Sequence, residues 1–343
     1  MGTFIDFTRR RALHWTALLA AALPLVAAGT PRAAAEDVKI GYIKVTALAP
    51  VMVAAGKGYF AAEGLTAELV PFDAPVPVAQ AVVSGGVDFG TTGPSGAFYN
   101  LAGKGTLHII AGMAREAPTF QFLAVLASNR AYNAGLTSVK ALAGHSVAVS
   151  DIGGAAHYSL TLIEEKYHID AASVRVTPLQ GISAAISALA GGSVDASTSP
   201  STAFAPVIAR GDAKLLAYVG DETPWQAGIV YATKKTADER QATVEKMLRA
   251  LKKAMRDYHD AFTGPDERRK DGPTAPEILA ILSKQLNQPP EQVDRAIAYV
   301  DRDGRLDVKD LQHQVTFLRA QGLIKGDVDL DQIVDKRYVV PLK

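Results

Sequence analysis

The chain contains no cysteine, and this absence excludes several classes of protein. Without a thiol there is no disulfide framework, no thiolate metal site and no cysteine nucleophile. The chain also has no large excess of positive or negative charge, because it contains 36 Lys and Arg residues and 35 Asp and Glu residues. This balance argues against a dedicated nucleic-acid-binding protein. Hydrophobic residues make up 48% of the 343 residues, so the chain has enough apolar side chains to fold rather than remain disordered.

Motifs for metals and nucleotides are missing as well. The histidines are scattered, with no pair at the spacing of metal ligands. Residues 301–307 resemble part of a calcium loop, but Gly304 stands at the fourth position instead of the sixth. Residues 56–58 lack the remainder of a phosphate-binding P-loop. We therefore predict no metal site, no cofactor and no nucleic-acid partner.

The first 35 residues have the three parts of an export signal. Residues 9–11 are arginines, residues 17–29 are apolar apart from small residues, and residues 33–35 are alanines that satisfy the cleavage rule. The arginines resemble a twin-arginine signal, although general secretion stays open because Ala12 replaces the usual aromatic residue. No cysteine is present for a lipid anchor. The sequence predicts removal of residues 1–35 and a periplasmic protein.

After this signal, strand-like apolar runs alternate with helical segments in two series. Strands are predicted at 38–43, 67–72, 87–90 and 107–113, and then at 146–150, 174–179, 194–198 and 214–219. This alternation favours parallel sheets covered by helices on both faces. Three amphipathic stripes, at 244–258, 278–286 and 311–318, predict core-packing helices, the second started by a capping box at residues 274–277.

One motif occurs twice. Residues 80–98 and 186–204 each contain a helix, a Gly-Gly turn, a Val-Asp strand and a loop rich in Ser, Thr or Pro. The copies lie about 107 residues apart, far more than the 20–50 residues of a solenoid repeat, so we interpret them as two similar lobes. The segments 120–127 and 228–233 are predicted to cross between the lobes, which favours hinge closure.

Four segments carry a family resemblance. They are Ala49–Leu65 with its Gly58-x-Phe60-x-x-Glu63-Gly64-Leu65 run, Gly85–Gly90, Ser138–Val149 and Val315–Ile324. In this order they resemble the nitrate/sulfonate/taurine-type solute-binding proteins of ABC importers, to which pyrimidine-precursor binders are related. The resemblance implies an α/β, two-lobed periplasmic-binding-protein fold of type II, in which each lobe is a mainly parallel sheet flanked by helices and the ligand cleft lies between the lobes.

The same resemblance implies the domain ranges and the function. We expect a signal peptide at 1–35, the first part of lobe 1 at 36–127, lobe 2 at 128–227, and a return crossing with C-terminal helices completing lobe 1 at 228–343. The protein is expected to be a monomeric receptor rather than an enzyme, to capture a small anion and to deliver it to the permease and ATPase of an importer.

Candidate ligand-binding residues follow from the position of the loops, because ligands in such sheets bind beyond the carboxyl ends of the strands. The sharpest local signal is a glycine-rich helix start at 153–155, where free N–H groups and the helix dipole favour an anion. In proteins of the family that this chain resembles, a Ser or Thr hydroxyl at this turn often contacts the anion, whereas residues 153–155 of this chain have no hydroxyl. The predicted site residues are Thr46, Thr92, Gly93, Ser95, Arg115, Gly153, Gly154, Ala155, His157, Ser199 and Trp225.

Two questions stay open at this point. The ligand can be a sulfonate, a taurine-like zwitterion, nitrate, bicarbonate, a carboxylate, or a pyrimidine-like or aromatic molecule. An exported enzyme of the same fold, such as a dehydratase, is the alternative function, with Lys44, Asp151 and His157 as its candidate acids and bases. A related pyrimidine-synthesising enzyme depends on a cysteine-rich motif and is excluded.

Overall fold

The strands form in the apolar runs that the sequence indicates. The computed structural model describes residues 35–342, so the predicted signal peptide lies outside the described residues except for its last alanine. Within this range the strands are β1 (Glu36–Ile43), β2 (Leu65–Phe72), β3 (Phe89–Thr92), β4 (Leu107–Gly112), β5 (Ala114–Glu116), β6 (Leu123–Ser128), β7 (Ser146–Val149), β8 (Arg175–Pro178), β9 (Ala196–Pro200), β10 (Ala213–Tyr218), β11 (Trp225–Gln226), β12 (Ile229–Thr233) and β13 (Tyr299–Val300).

The helices alternate with these strands and then continue into the C-terminal third. They are α1 (Ala49–Gly56), α2 (Tyr59–Ala62), α3 (Pro75–Ser84), α4 (Gly96–Ala102), α5 (Asn129–Asn133), α6 (Ala155–Tyr167), α7 (Ile182–Ala190), α8 (Ser201–Ala209), α9 (Val219–Glu222), α10 (Lys234–Glu239), α11 (Gln241–Phe262), α12 (Ala275–Leu286), α13 (Pro290–Asp294), α14 (Val308–Ala320) and α15 (Leu330–Ile333). None of the helices in residues 35–342 is both long enough and apolar enough to cross a membrane.

Two five-stranded sheets have the same strand order. The first sheet is β2-β1-β3-β12-β4 and the second is β8-β7-β9-β6-β10. In the first, β1 pairs parallel with β2 and β3, while β12 runs antiparallel to β3 and β4. In the second, β7 pairs parallel with β8 and β9, while β6 runs antiparallel to β9 and β10. Four strands of each sheet therefore point one way, which confirms the predicted fold of two mainly parallel sheets.

The inserted antiparallel strands come from the segments predicted to cross between the lobes. Strand β12 joins the first sheet as expected, but β6 belongs to the second sheet, whereas the sequence analysis ended the first lobe at residue 127. The chain thus leaves the first sheet before residue 123. The lobe ranges remain a prediction, and the sheet membership of β6 favours an earlier boundary.

A third sheet, which the sequence did not predict, joins the two crossings. It has the order β11-β5-β13 with antiparallel pairs, and β5 and β11 lie next to the outgoing and returning crossings. Its strands have only two or three residues. Such short strands carry no alternation of apolar and polar residues that a sequence pattern could detect.

The repeated Val-Asp motif has the same structural role in both copies. The Asp88 carboxylate accepts a hydrogen bond from the Lys39 N–H of β1 at 2.8 Å, and the Asp195 carboxylate accepts one from the Ser146 N–H of β7 at 2.9 Å. An arginine donates to each aspartate, Arg240 to the first and Arg130 to the second. The two copies therefore bind equivalent strands, β1 and β7, in the same way.

The C-terminal helices bury the predicted stripes. Helix α11 packs against α1 and α2, and α14 packs against α4 beside the first sheet. On the second sheet, α7 and α8 cover one face and form a separate apolar cluster that includes Leu189 and Phe204. The predicted capping box of α12 is wrong, because the Thr274 side chain makes no capping hydrogen bond.

Helix α6 carries a buried carboxyl whose charge opposes folding. Glu164 is 5% exposed, and its Oε1 atom has no hydrogen-bond partner among the described residues. Burial, and secondarily the charge of Glu165, raises the pKa of the Glu164 carboxyl from 4.5 to about 7. In the unfolded chain the Glu164 carboxyl loses its proton near pH 4.5, whereas in the folded protein it keeps the proton up to about pH 7. The free energy of unfolding therefore falls as the pH rises from 4.5 to 7. We therefore expect Glu164→Gln to stabilise the protein relative to wild type by about 1–3 kcal/mol more at pH 8 than at pH 5.

Urea unfolding of both proteins at the two pH values measures this difference. The matched control is Glu239→Gln, which removes a carboxylate that is 65% exposed and should shift stability equally little at both pH values. A Glu164→Gln effect that does not change between pH 5 and pH 8 would contradict the prediction.

Candidate functional site

The start of α6 presents backbone N–H groups that have no protein acceptor. This helix follows β7, which pairs parallel with both of its neighbours, so its first turn lies beyond the carboxyl end of a central strand. Gly154 is the N-cap and has no side chain that could accept a helix N–H. Among the described residues, no protein group accepts the N–H groups of residues 154–157. The helix start is therefore available to an external acceptor.

The turn before α6 requires glycine. Gly153 has φ +78°, a left-handed conformation that residues with a Cβ adopt at a cost. A Cβ atom at this position would lie 2.6 Å from Leu323 Cδ1 and 2.9 Å from Leu318 Cδ2. Because Leu318 belongs to α14 and Leu323 follows it, this close approach brings the second sheet's loop against the helices of the first sheet.

A small cavity lies at this contact. Its volume is about 10 Å³, which corresponds to roughly one water molecule. The lining residues come from the loop after β3, the start of α6, β11 and α14, and they are Pro94, Gly153, Gly154, Ala155, Tyr158, Trp225, Gln314, Phe317 and Leu318. The structure thus brings four predicted residues together here, namely the three at 153–155 and Trp225.

Trp225 contributes a further donor. Its side chain is 2% exposed, and its Nε1 atom has no hydrogen-bond partner among the described residues. The indole packs edge-on against the Tyr158 ring, with centroids 5.3 Å apart. A buried indole N–H without an acceptor is costly. An oxygen atom in the cavity would relieve this cost together with that of the free helix N–H groups.

A hydrogen-bond network connects α6 to α14 beside the cavity. The Tyr158 hydroxyl donates to Asp310 Oδ1 at 2.9 Å and lies 3.1 Å from His313 Nδ1. The other oxygen of Asp310 accepts hydrogen bonds from Gln314 Nε2 at 2.7 Å and from the Gln226 backbone N–H at 2.8 Å. Tyr158 and Gln314 line the cavity, so this network determines how both side chains are oriented there.

Two carboxyls lie close to the cavity. Burial raises the pKa of Asp310, although hydrogen bonds from Gln226, Gln314 and Tyr158 lower it in part. Burial also raises the pKa of Asp151, against a hydrogen bond from the Ser150 hydroxyl. Neither carboxyl forms a salt bridge within residues 35–342, so no cation neutralises them.

His157 supports the glycine turn instead of lining the cavity. Its Nδ1 atom accepts a hydrogen bond from the Gly153 N–H at 3.0 Å, and burial lowers the pKa of the imidazole. The ring also packs edge-on against Phe317, with centroids 5.2 Å apart. A neutral His157 therefore holds the turn in the conformation that α6 needs.

The predicted hydroxyl groups are satisfied by the protein itself. Thr46 Oγ1 donates to the Ala296 carbonyl, and Thr92 Oγ1 donates to the Gly93 carbonyl at 2.9 Å. Ser95 caps α4 by accepting the Phe98 N–H. Ser199 Oγ lies 2.9 Å from Ser197 Oγ. None of these predicted residues lines the cavity at residues 153–155.

Arg115 lines a second, open cavity of about 560 Å³ beside the crossings. Its guanidinium lies 3.3 Å from Asp307 Oδ2, in an ion pair. Glu116 also lines this cavity and is fully buried, and burial raises the pKa of its carboxyl well above the usual range. Glu116 Oε1 accepts the Leu123 N–H at 3.0 Å and so connects β5 to the first residue of β6. The structure therefore separates Arg115 from the cavity at the start of α6.

Sequence reasoning missed the contribution of α14. Gln314, Phe317 and Leu318 lie on the predicted amphipathic stripe or next to it, and the stripe was interpreted as core packing. They meet α6 only because the chain folds back over about 150 residues. A local pattern carries no signal for such a contact. Within the described part of the chain, His, Asp and Glu side chains form no group of three or more that could hold a metal ion.

Comparison with known proteins identifies relatives. The sequence model of the NMT1/THI5-like family matches residues 45–267. A comparison with curated proteins found no match. Among solved structures, the chain is similar to the alkanesulfonate-binding protein SsuA from Xanthomonas axonopodis pv. citri bound to MOPS, with a TM-score of 0.69 and 20% identity over 87% of this chain and 98% of that chain.

Two further structures have the same fold. The periplasmic aliphatic sulphonate-binding protein SsuA from Escherichia coli has a TM-score of 0.69 and 18% identity over 90% of this chain and 94% of that chain. The periplasmic nitrate-binding protein NrtA from Synechocystis PCC 6803 has a TM-score of 0.68 and 15% identity over 88% of this chain and 86% of that chain. At these identities the similarities establish a shared fold.

Proposed function

Because the chain belongs to the NMT1/THI5-like family, we propose that it is the extracytoplasmic solute-binding receptor of an ABC importer and captures a small oxyanion between its two sheets. The observation that carries this proposal is the set of unused donors around one cavity. The N–H groups of residues 154–157 and the Trp225 Nε1–H have no acceptor among the described residues. Such an arrangement favours an anion without any formal cation.

The remaining wall of the cavity favours an organic anion. Tyr158, Phe317, Leu318 and Pro94 present rings and aliphatic surface beside the donors. A sulfonate or carboxylate with a small apolar body satisfies both parts of the site. The names of the solved relatives, which describe alkanesulfonate-binding and nitrate-binding proteins, support an oxyanion of this kind.

Ligand entry requires the two sheets to move apart. The present cavity of about 10 Å³ is far smaller than a sulfonate group and its substituent. The natural hinges lie in residues 113–122 and 219–228, because these two segments are the backbone connections between the five-stranded sheets. We propose that an open form admits the anion and that closure completes its hydrogen bonds.

The remaining parts of the proposal concern location and partners. We propose that residues 1–35 direct export to the periplasm by the twin-arginine or the general secretory route, without a lipid anchor. There the protein acts as a monomer and delivers its ligand to a permease and its ATPase. The residue ranges predicted for the two lobes are part of the same proposal.

We also propose that the protein has no enzymatic activity of its own. The alternative of an exported dehydratase relied on Lys44, Asp151 and His157. Lys44 is exposed, His157 accepts the Gly153 N–H, and Asp151 is hydrogen-bonded to Ser150. No hydrogen bond connects these three groups within residues 35–342, which gives no support to an acid–base site.

Thermal unfolding against a panel of anions tests the proposed function. The panel contains alkanesulfonates, aromatic sulfonates, taurine, nitrate, bicarbonate and carboxylates, with sodium chloride at equal ionic strength as the control. A ligand at 100 times its dissociation constant adds about 2.7 kcal/mol of stability, which raises the Tm of a protein of this size by at least a few degrees. We expect an oxyanion with an organic body to produce such a shift. A panel without any shift would contradict the anion proposal.

A further inference from the structure

The cavity at the start of α6 combines neutral donors with walls that carry no charge. All nine of its lining residues have uncharged side chains or none. The nearest predicted cation, Arg115, lines the other cavity and pairs with Asp307. An anion in this site therefore obtains its stabilisation from N–H dipoles alone.

Two carboxyls contact lining residues of this cavity. Asp151 lies against the backbone of the lining residue Gly154, because a Cβ atom there would be 2.2 Å from Asp151 Oδ2. Asp310 lies behind the lining residues Tyr158 and Gln314, and both donate hydrogen bonds to it. One carboxyl belongs to the loop after β7 and the other to α14, so the two approach the cavity lining from different elements.

Neither carboxyl has a cationic partner of its own, because neither Asp151 nor Asp310 forms a salt bridge within the described residues. The charged groups around the network pair with each other: Asp307, which accepts the Asp310 N–H, pairs with Arg115, and Glu165 pairs with His313, whose ring contacts the Tyr158 hydroxyl. The Tyr158 hydroxyl donates to Asp310 and so offers no proton to a ligand. A second negative charge on the ligand would meet repulsion without a compensating donor.

We propose that the site selects singly charged oxyanions and rejects doubly charged ones of the same shape, with Asp151 and Asp310 as the groups that determine this specificity. The inference rests on the proposed function, since it concerns the anion that the receptor captures. It separates sulfonates, nitrate and carboxylates from sulfate, phosphonates and phosphate esters in their doubly charged forms.

Two small ligands, each with one methyl group and a tetrahedral oxyanion centre, test the inference by calorimetry on the full chain. Methanesulfonate carries one charge at every working pH, while methyl phosphate carries one charge at pH 5 and two at pH 8, because its second proton leaves near pH ~6. We expect the two affinities to agree within about 3-fold at pH 5 and methyl phosphate to bind at least ~30-fold more weakly at pH 8. Taking the ratio of the two affinities removes those effects of pH on the protein that act equally on both ligands.

Variants identify the responsible carboxyls. Asp151→Asn should strengthen binding of methyl phosphate relative to methanesulfonate about 10-fold at pH 8, and Asp310→Asn should act in the same direction. The control Asp331→Asn removes a carboxylate that is 81% exposed and outside the lining, and it should leave the ratio unchanged. If the affinity ratio is the same at pH 5 and pH 8, or if Asp151→Asn and Asp310→Asn both behave like the control, the inference is wrong and the receptor function still stands. If neither ligand binds at either pH, the proposed function fails and the inference fails with it.

Discussion

Replacing Gly153 with alanine is expected to lower the affinity for the anion about 100-fold while the protein remains folded. The added Cβ would lie within 3 Å of Leu323 and Leu318, which approach the turn only when the two sheets are close together. Overpacking of this kind costs about 3 kcal/mol at the upper end of its usual range, and each 1.4 kcal/mol is a factor of ten in affinity. Opening of the cleft relieves the overlap, so the variant shifts towards the open form and binds weakly.

A matched glycine separates this effect from backbone strain. Gly144 has φ +82°, close to the value at Gly153, but a Cβ there meets nothing within 4 Å. Gly144→Ala should lower the Tm through the same left-handed strain of about 1–2 kcal/mol and leave the affinity near that of wild type. Calorimetric titration of both variants with the anion that stabilises the wild-type protein measures the difference. Equal affinities for Gly153→Ala and Gly144→Ala would show that closure against the leucines is not required for binding.

Replacing Trp225 with phenylalanine should weaken ligand binding more than it lowers stability. The smaller ring leaves a cavity, but loss of an indole N–H that is buried without an acceptor offsets part of that cost, so the free energy of unfolding should fall by only about 1 kcal/mol. A hydrogen bond to a charged ligand is worth about 1.5–3 kcal/mol, and its loss should weaken binding about 10- to 100-fold. Phenylalanine keeps an aromatic ring next to Tyr158, so packing is largely preserved.

The control for this variant is Tyr99→Phe. Tyr99 is fully buried, and its hydroxyl lies 3.5 Å from Oε1 of Gln314 in α14. Tyr99 itself does not line the cavity. The affinity of the Tyr99→Phe variant for the anion should stay within about 3-fold of the wild-type value. A Trp225→Phe variant that binds as tightly as Tyr99→Phe would exclude the indole N–H as a ligand contact.

The fold was predictable because its determinants are local and repeated. Apolar runs followed by helices indicated the strands, and helix α6 begins within the glycine-rich segment 153–155 that predicted a helix start. The duplicated Val-Asp motif indicated two similar sheets, and Asp88 and Asp195 make equivalent contacts in them. The very short strands of the third sheet and the sheet membership of β6 depend on tertiary pairing, which leaves no periodic pattern in the sequence.

Only the part of the candidate site at the start of α6 was predictable from the sequence. The glycines at 153–154 indicated a helix start without a side-chain cap, which is a local property of the chain. The hydroxyls of Thr46, Thr92 and Ser95 were plausible ligands by position, but each is used in a hydrogen bond to nearby backbone or to Ala296. The wall from α14 and the carboxyl of Asp310 depend on contacts across about 150 residues, for which a single sequence contains no signal.

The inserted antiparallel strands bear on how the protein is made. The five strands of the second sheet lie within residues 123–218, so this sheet is complete once that stretch has left the ribosome. The first sheet begins earlier in the chain, yet β12 at 229–233 must enter between β3 and β4 before it is whole. During translation the first half of the chain thus waits with unpaired strand edges while the second sheet forms, and such edges are prone to wrong pairing. Synthesis from the amino terminus therefore supplies every strand of the later-encoded sheet before the last strand of the first sheet, and a chain that ends before residue 229 lacks the strand that pairs with both β3 and β4.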